Sequence, residues 1–524
     1  MTAIRNVLFI MCDQLRADYL GCTGHPTIKT PNIDKLATRG VNFSRTFVQA
    51  PVCGSSRMSF YTGRYMFTHG ATYNGVPLNI GQPTLGDHLR ELGVKTGLIG
   101  KTHMAADRAN MERLGIDPLS KAGVLASQCG FEPWERDDGL HPDQLTGPNL
   151  SYNQYLQSKG YDGDNPWHTA ANSGYDENGD LQSGWYLRNA HLPAAIDKDH
   201  SETAYMTDRA IERMSELGDQ QWCLHLSYIK PHWPYIAPAP YHNMYSDEDV
   251  LPANRATAEK EKPHPVVEAF MQHEESKNFS DEEKRRHVIP AYMGLISEVD
   301  HHIGRLMEFL EDAGKLKETL IVFTSDHGDY LGDHWLGEKE LFHEESVRIP
   351  MIVVDPSSAA DSTRGTVSDQ LIEAIDLVPT FIDALGGDEK PHLLEGRSLI
   401  PLLQNKMNIS WRDTVYSEVD YAWRGARLSL DLPPDRTRGY MLRTDSWKYV
   451  SFDGFNPQLF DLKNDPKELN DLGQSNEHAD LRIGFEDKLH HWIRMRKTRY
   501  TISLKEIETR TDNAKERGIY FGVW

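Results

Sequence analysis

Five short apolar runs constrain this chain more than any other feature. They are NVLFIM (6–11), KTGLIGK (95–101), WCLHLSYI (222–229), TLIVFTSDHGD (319–329) and IPMIVVD (349–355). Near-continuous apolar runs of this length suit strands buried on both faces. Between them lie patterns of helical period: NIDKLATRG (32–40), TLGDHLRELG (84–93), SETAYMTDRAIERMSELG (201–218) and AYMGLISEVDHHIGRLMEFLEDAG (291–314). Strand alternating with helix predicts an α/β fold with a large, mostly parallel sheet sandwiched by helices. In such sheets chemistry collects at the carboxyl ends of the strands. NVLFIM runs into Cys12, Asp13 and Gln14, and LIVFTS runs into Asp326, His327 and Gly328. Both strand ends therefore carry metal-capable side chains.

Two polar stretches, 105–200 and 246–285, read as insertions with little regular structure. From about 411 the texture changes. DTVYSEVD, RGYMLRTDSWKYVSF and PQLFDLKNDPKELNDL read as antiparallel strands and turns, followed by the helix HADLRIGFEDKLHHWIRMRK. The expected division is a catalytic α/β unit over 1–410 and a smaller α+β unit with an antiparallel sheet over 411–524. The last residues, RGIYFGVW, are aromatic enough to predict docking on the protein or on a partner subunit.

The 524 residues carry 56 Lys+Arg against 77 Asp+Glu, a net charge of −21. That excludes general nucleic-acid binding, which needs a basic surface. It leaves room for an anionic substrate in a local cationic pocket. No apolar run approaches the ~20 residues of a membrane span. The first run, Val7 to Met11, is shorter than a signal-peptide core and reads as a buried strand. The expected setting is cytoplasmic, with no membrane and no nucleic-acid partner. Five cysteines at irregular spacing do not form a disulfide framework.

The stretch PVCGSSRMSFYTGRY (51–65) places Cys53 four residues before Arg57 with only small residues between. Its own pattern leaves four roles open for Cys53: buried packing, half of a disulfide, a thiolate nucleophile, or the precursor of something more reactive. Lys101 and His103 in GKTH, His232 in IKPHWPY, Asp326 and His327 in SDHGDYLGDH, and Lys339 in GEKELFHEES each have an ordinary structural reading when taken singly. Trp167, Trp185, Trp233 and Tyr235 are either packing or an aromatic wall for an aryl or cationic group.

Taken together, these stretches resemble the sulfatase family of the alkaline-phosphatase superfamily. The resemblance runs through NVLFIMCDQLRADYLGCTGHPTIKTPNIDKLATRGVNF, QAPVCGSSRMSFYTGRY, GLIGKTHM, IKPHWPY, IVFTSDHGDYLGDHWLGEKELFHEESVRIPMIV and LFDLKNDPKELNDL, in the family's order over nearly the whole chain. It implies an alkaline-phosphatase-like fold. It also implies that Cys53 is oxidised to formylglycine by a formylglycine-generating enzyme, and that the hydrated aldehyde attacks sulfur or phosphorus. Asp13, Gln14, Asp326 and His327 would hold one divalent cation together with residue 53. Arg57 and Lys101 would steady the nucleophile, and His103 would take a proton during release. His232 and Lys339 would contact the substrate's oxygens, with His232 protonating the leaving group. Asn74 in THGATYNG is a further candidate substrate contact.

Three positions depart from the family pattern. Ser55 stands where the motif has Pro or Ala, Gln14 where many members have a second Asp, and His327 where many have Asn. Imidazole suits Mn²⁺ or Zn²⁺ better than Ca²⁺, yet similar members use calcium, so Ca²⁺ is placed ahead of Mn²⁺. The expected activity is arylsulfatase-like hydrolysis of sulfuric esters. The alternative is a phosphonate monoester hydrolase or phosphodiesterase on the same scaffold, with cross-activity between them. Lys101 and His103 favour the first, because the phosphonate branch tends to carry Tyr and Thr there. A non-catalytic binding protein with Cys53 unoxidised is a third class. A homo-oligomer, dimer or tetramer, is expected.

Overall fold

The computed structural model describes residues 4–147, 149–406, 409–498, 501–520, 522 and 524. Eight strands form the main sheet: β1 Asn6–Asp13, β2 Val41–Phe43, β3 Lys95–Gly100, β4 Glu132–Arg136, β5 Trp222–Pro231, β6 Thr319–Ser325, β7 Met351–Val354 and β8 Thr366–Ser368. Their spatial order is β8-β2-β7-β6-β1-β5-β3-β4. All pairs are parallel except those of β7, which runs against both β6 and β2. The expected mostly parallel sheet is present.

Alternation along β1 explains why one strand serves two cores. Val7, Phe9 and Met11 face one apolar layer, and Leu8, Ile10 and Cys12 face the other. Helices cover both layers: α1 Pro31–Arg39, α2 Cys53–Thr62, α3 Leu85–Glu91, α4 Glu202–Leu217, α5 Glu282–Asp312 and α6 Leu377–Ala384. Helix α5 starts well before the expected residue 291. Asp281 caps it through the N–H groups of Glu283 and Lys284, and Pro290 lies inside it. Its first turns, EEKRRH, carry no apolar residue, and the inward position is filled by the buried Arg285, which hides them from a periodicity search.

The 105–200 segment also holds more structure than its composition shows. It contains short helices and a small hairpin, and it supplies β4, the edge strand of the main sheet. The EPWER sequence of β4 is only half-buried, so it lacks the apolar signature of an interior strand.

At the C-terminus, β9 Thr414–Asp420, β10 Arg438–Thr444, β11 Trp447–Phe452 and β12 Gln458–Asp461 form a separate antiparallel sheet in chain order, followed by α7 Ala479–Arg494. One face of this sheet joins the main core through Val415, Val419, Met441, Val450 and Phe452. The other packs Tyr416, Leu442, Tyr449 and Leu459 against Phe485 and Leu489 of α7. Among the described residues the tail is not docked on the protein, the first of the two places expected for it. Ile519, Tyr520 and Trp524 are exposed, while Phe521 and Val523 lie outside the described residues. The helix leading to it, Leu504–Arg510, buries no residue and so brings no apolar face to pack. Among the described residues no helix is long and apolar enough to cross a membrane.

Candidate active site

Four strands adjacent in the sheet, β6, β1, β5 and β3, release the chain at one edge, and each exit carries a polar side chain. Register makes the first two exits neighbours. Cys12 pairs with Ser325, so Asp13 and Asp326 come next side by side. The β5 exit supplies His232, and the β3 exit supplies Lys101 and His103. Gly100 allows that close packing: its φ is +97°, and a Cβ there would lie 1.9 Å from the carbonyl oxygen of Ser227.

Helix α2 brings Cys53 to the same place. Its N-terminus has no side-chain cap from Val52, and the N–H of Gly54 donates to Asn74 Oδ1 at 2.7 Å. Ser56 ties the helix to β6 by donating to the Asp326 carbonyl at 2.5 Å. The Cys53 sulfur lies 3.1 Å from His327 Nε2 and 3.7 Å from Asp13 Oδ1. One ligand atom from each of Asp13, Cys53, Asp326 and His327 falls within 4.8 Å of the others, and all four residues are buried.

Arg57 is fully buried and holds the two carboxylates in place. Its Nε donates to Asp326 Oδ2 at 2.8 Å and its Nη2 to Asp13 Oδ2 at 3.1 Å. Its Nη1 donates to the Lys101 carbonyl at 2.8 Å and Ser227 Oγ at 2.6 Å. Lys101 Nζ lies 2.6 Å from Asp13 Oδ2. Lys339 comes from a loop whose neighbours Glu338 and Glu340 have φ of +63° and +91°. Its Nζ donates to Gln14 Oε1 at 3.0 Å. His103, with φ +54°, is held by its backbone N–H on Asp138 Oδ1 at 3.0 Å, and its Nδ1 has no hydrogen-bond partner.

Two of the three candidate histidines, His327 and His232, turn Nδ1 to a carbonyl, which can only accept. His327 Nδ1 donates to the Gly328 carbonyl at 2.8 Å, so Nε2 is the nitrogen that faces the cluster. His232 Nδ1 donates to the Trp233 carbonyl at 2.7 Å, and its Nε2 lies 3.9 Å from Asp13 Oδ1.

The electrostatics follow from burial set against this charge pattern. Burial works against a Cys53 thiolate, yet Lys339, Lys101 and His327 hold its pKa well below the ordinary thiol value. Burial opposes ionisation of Asp13 too, but Lys101, His232 and Arg57 keep it below the usual carboxylate range. Burial raises Asp326 and lowers His232. His327 is pushed up to about 9 by Asp326 and Cys53, which outweigh its burial.

The structure thus brings Asp13, Gln14, Cys53, Arg57, Lys101, His103, His232, Asp326, His327 and Lys339 to one place. Asn74 stands at its edge, with its amide oxygen engaged by Gly54. Sequence reasoning passed over Ser227, Glu338 and Asp329. Asp329 sits in the same SDHGD run as two candidate ligands but reads there as a turn residue. Of the four aromatics, Trp167, Trp185 and Trp233 form a chain with ring centroids 6.1 and 5.6 Å apart, ending 4.3 Å from the His232 ring. Tyr235 instead donates to Asp329 Oδ2.

Comparison with known proteins agrees with this geometry. The family model described as Sulfatase matches residues 5–387, and that of the N-sulphoglucosamine sulphohydrolase C-terminal region matches 332–495. The chain belongs to the sulfatase family, and it is a hydrolase of the alkaline-phosphatase superfamily. It is 32% identical to the multifunctional alkaline phosphatase superfamily protein PehA of Trinickia caryophylli, over 93% of this chain and 95% of that protein. It is 28% identical to an arylsulfatase of Clostridium perfringens, over 92% and 93%. Among solved structures, the phosphonate monoester hydrolase of Silicibacter pomeroyi matches with a TM-score of 0.81 at 29% identity, covering 94% of this chain and 96% of that one. The enzyme of the same kind from Agrobacterium radiobacter matches at 0.80 and 28%, covering 94% and 95%.

Proposed function

We propose that the protein hydrolyses sulfuric esters, arylsulfatase-like, with residue 53 as nucleophile in its formylglycine form. The observation that carries this reading is the meeting of Asp13, Asp326, His327 and Cys53 beside Arg57, Lys101 and Lys339. The donor set fits a divalent cation: two carboxylates, one imidazole whose Nε2 is turned to the cluster by its backbone bond and would lose its proton to the cation, and the Gln14 amide oxygen. Ca²⁺ is placed ahead of Mn²⁺. A cation held there supplies Lewis-acid charge to the transferring group. Formylglycine at 53 supplies a hydrated aldehyde, with one hydroxyl to attack and a second to expel the bound group. The Cys53 sulfur marks the place of the attacking oxygen.

The other residues act around that point. Lys339 and Lys101 neutralise charge that builds on the transferring group in a site closed to water. Arg57 keeps Asp13 and Asp326 at fixed separation, since its N–H groups are directed to their oxygens and to the neighbouring backbone. His103, whose side chain hydrogen-bonds Cys53, takes the proton of the second hydroxyl. His232, with Nδ1 on the Trp233 carbonyl, has Nε2 turned to the cluster, and its protonated form would give the proton to the leaving group. The proposal includes the division into a catalytic unit, 1–410, and a C-terminal unit, 411–524, maturation by a formylglycine-generating enzyme, a cytoplasmic setting and a homo-oligomer. Light scattering tests the assembly.

The structural neighbours favour a second activity on the same site, hydrolysis of phosphonate monoesters and phosphodiesters. Both reactions move a tetrahedral anionic group and need the same cations. The test compares kcat/KM for 4-nitrophenyl sulfate and for the 4-nitrophenyl ester of phenylphosphonate. Measurable turnover of the sulfate supports the first reading. Turnover of the phosphonate alone moves the assignment to the second. Peptide mass spectrometry across residues 51–65 checks the conversion of Cys53, and an unconverted cysteine in fully active protein would remove the nucleophile assignment.

A further inference from the structure

Asp329 and Tyr235 converge on Gln14, the residue at which this chain departs from the paired aspartates of many relatives. The amide nitrogen of Gln14 donates to Asp329 Oδ2 at 2.5 Å and to Tyr235 Oη at 3.2 Å. The Tyr235 hydroxyl donates to the same Oδ2 at 2.8 Å, and the Leu331 N–H fills Asp329 Oδ1 at 2.9 Å. At the other end, Gln14 Oε1 accepts from Lys339 Nζ. Gln14, Tyr235 and Asp329 are all buried.

The two ends of an amide are nearly identical in shape, so its partners decide which way it points. Here both ends agree. Turned over, Gln14 would set its carbonyl against the Asp329 carboxylate and its NH₂ against the Lys339 ammonium. Two hydrogen bonds would become two repulsions. A carboxylate at position 14 would meet Asp329 directly, in a site from which water is excluded. One of the two carboxyls would then have to keep a proton.

We propose that Asp329 and Tyr235 are positioning residues for the cation site. They turn Gln14 Oε1 toward the cluster around Cys53, and Asp329 makes an amide, not a carboxylate, the side chain that works at position 14. The inference rests on the reading of Gln14 as a cation ligand. It explains the Asp-Gln pair through a partner 315 residues away. The second negative charge is present, but it stands one side chain further back.

Calorimetric titration of the metal-stripped full chain with Ca²⁺ and with Mn²⁺ tests this, with melting curves to confirm folding. Adding a charge by Gln14→Glu should tighten a simple cation site. Here it is expected to weaken binding by about tenfold or more, in the range that outer partners of metal ligands command. Asp329→Asn alone is expected to weaken it by a similar factor. Combining Gln14→Glu with Asp329→Asn reverses the polarity of the pair and should return affinity to within about threefold of wild type. Tyr235→Phe keeps the ring and removes one partner, for an expected loss of about threefold. Equal or tighter binding by the single Gln14→Glu variant overturns the inference, as does a folded double variant no better than its parents. A wild-type chain that binds neither cation overturns the metal reading, and this inference with it.

Discussion

Helix α2 has a buried ionic cluster at each end, and the two are built on different plans. At its start, Arg57, Lys101 and Lys339 are matched by Asp13, Asp326 and Glu338, with Cys53 and His327 among them. Beyond its end, Tyr65, from the TGRY of the same motif, donates to both oxygens of Glu373 at 3.0 and 2.9 Å. There, among the described residues, one cation, Arg412, serves two carboxylates, Asp376 and Glu373. The backbone closes what remains. Tyr416 N–H donates to Glu373 Oε1 at 3.0 Å, Glu373 N–H to Asp376 Oδ2 at 2.9 Å, and Arg397 N–H to Asp376 Oδ1 at 2.7 Å. The second cluster also joins β9, with Tyr416 on the strand and Arg412 just before it, to the main core. Burial alone therefore does not mark function. What sets the first cluster apart is that Asp13, Cys53, Asp326 and His327 bring ligand-capable atoms within 4.8 Å of one another.

The strongest way to break this comparison is at Cys53. Cys53→Ala should lower kcat/KM by about 10⁴-fold or more, the scale at which nucleophile removal acts, while the melting temperature stays close to wild type. Residual turnover within tenfold would move the nucleophile elsewhere. Next, removing the lone cation of the far cluster, Arg412→Met, leaves two carboxylates facing each other without water. Such changes cost about 3–5 kcal/mol, and denaturant unfolding would show it. The kcat per folded molecule should stay within about twofold, because nothing in that cluster reaches the cation site. Arg57→Met should cost similar stability and abolish turnover as well. A variant that kept its turnover would erase the distinction between the two ends.

A smaller effect separates the clusters by pH. Burial pushes the Glu373 carboxyl from an ordinary 4.5 up to about 7. A carboxyl raised on folding contributes stability that is complete below its unfolded pKa and lost as pH rises through the folded value. Glu373→Gln should therefore flatten the loss of stability between about pH 4.5 and 7, read from chemical denaturation at several pH values. An unchanged slope would show that Glu373 titrates normally. The smallest effect belongs to Asn74→Ala, which removes the acceptor for the Gly54 N–H. A lost buried hydrogen bond of this kind costs about 1 kcal/mol, with a minor fall in turnover if Asn74 only supports the helix start. A large rise in KM would instead make it a substrate contact.

Much of this was legible beforehand, for a physical reason. Strands buried on both faces must be apolar throughout, so NVLFIM and LIVFTS announce themselves, and a polar residue directly after them stands at the sheet's edge. Cys53 and Arg57 were legible as a spaced pair. What escaped lies where the signal is tertiary. The edge strand Glu132–Arg136 buries too little to show a pattern, and the first turns of α5 carry no apolar residue. Asp329 looks like any turn aspartate until Tyr235, 94 residues earlier, is folded against it. The division of labour between the ends of α2 was equally hidden. Arg57 and Arg412 are both buried arginines, and only their surroundings tell them apart.

The burial of Cys53 can also be expressed as time. Its walls come from residues as far along the chain as His327, 274 positions later. At about 5–20 residues per second of synthesis, that separation lasts roughly 14–55 s. During that interval the thiol stands open to any protein that modifies it; once β6 pairs with β1, the door is shut. Anything that hastens closure of the sheet would shorten the time in which the maturation proposed above could act. Anything that slows it would lengthen the exposure of the Cys53 thiol.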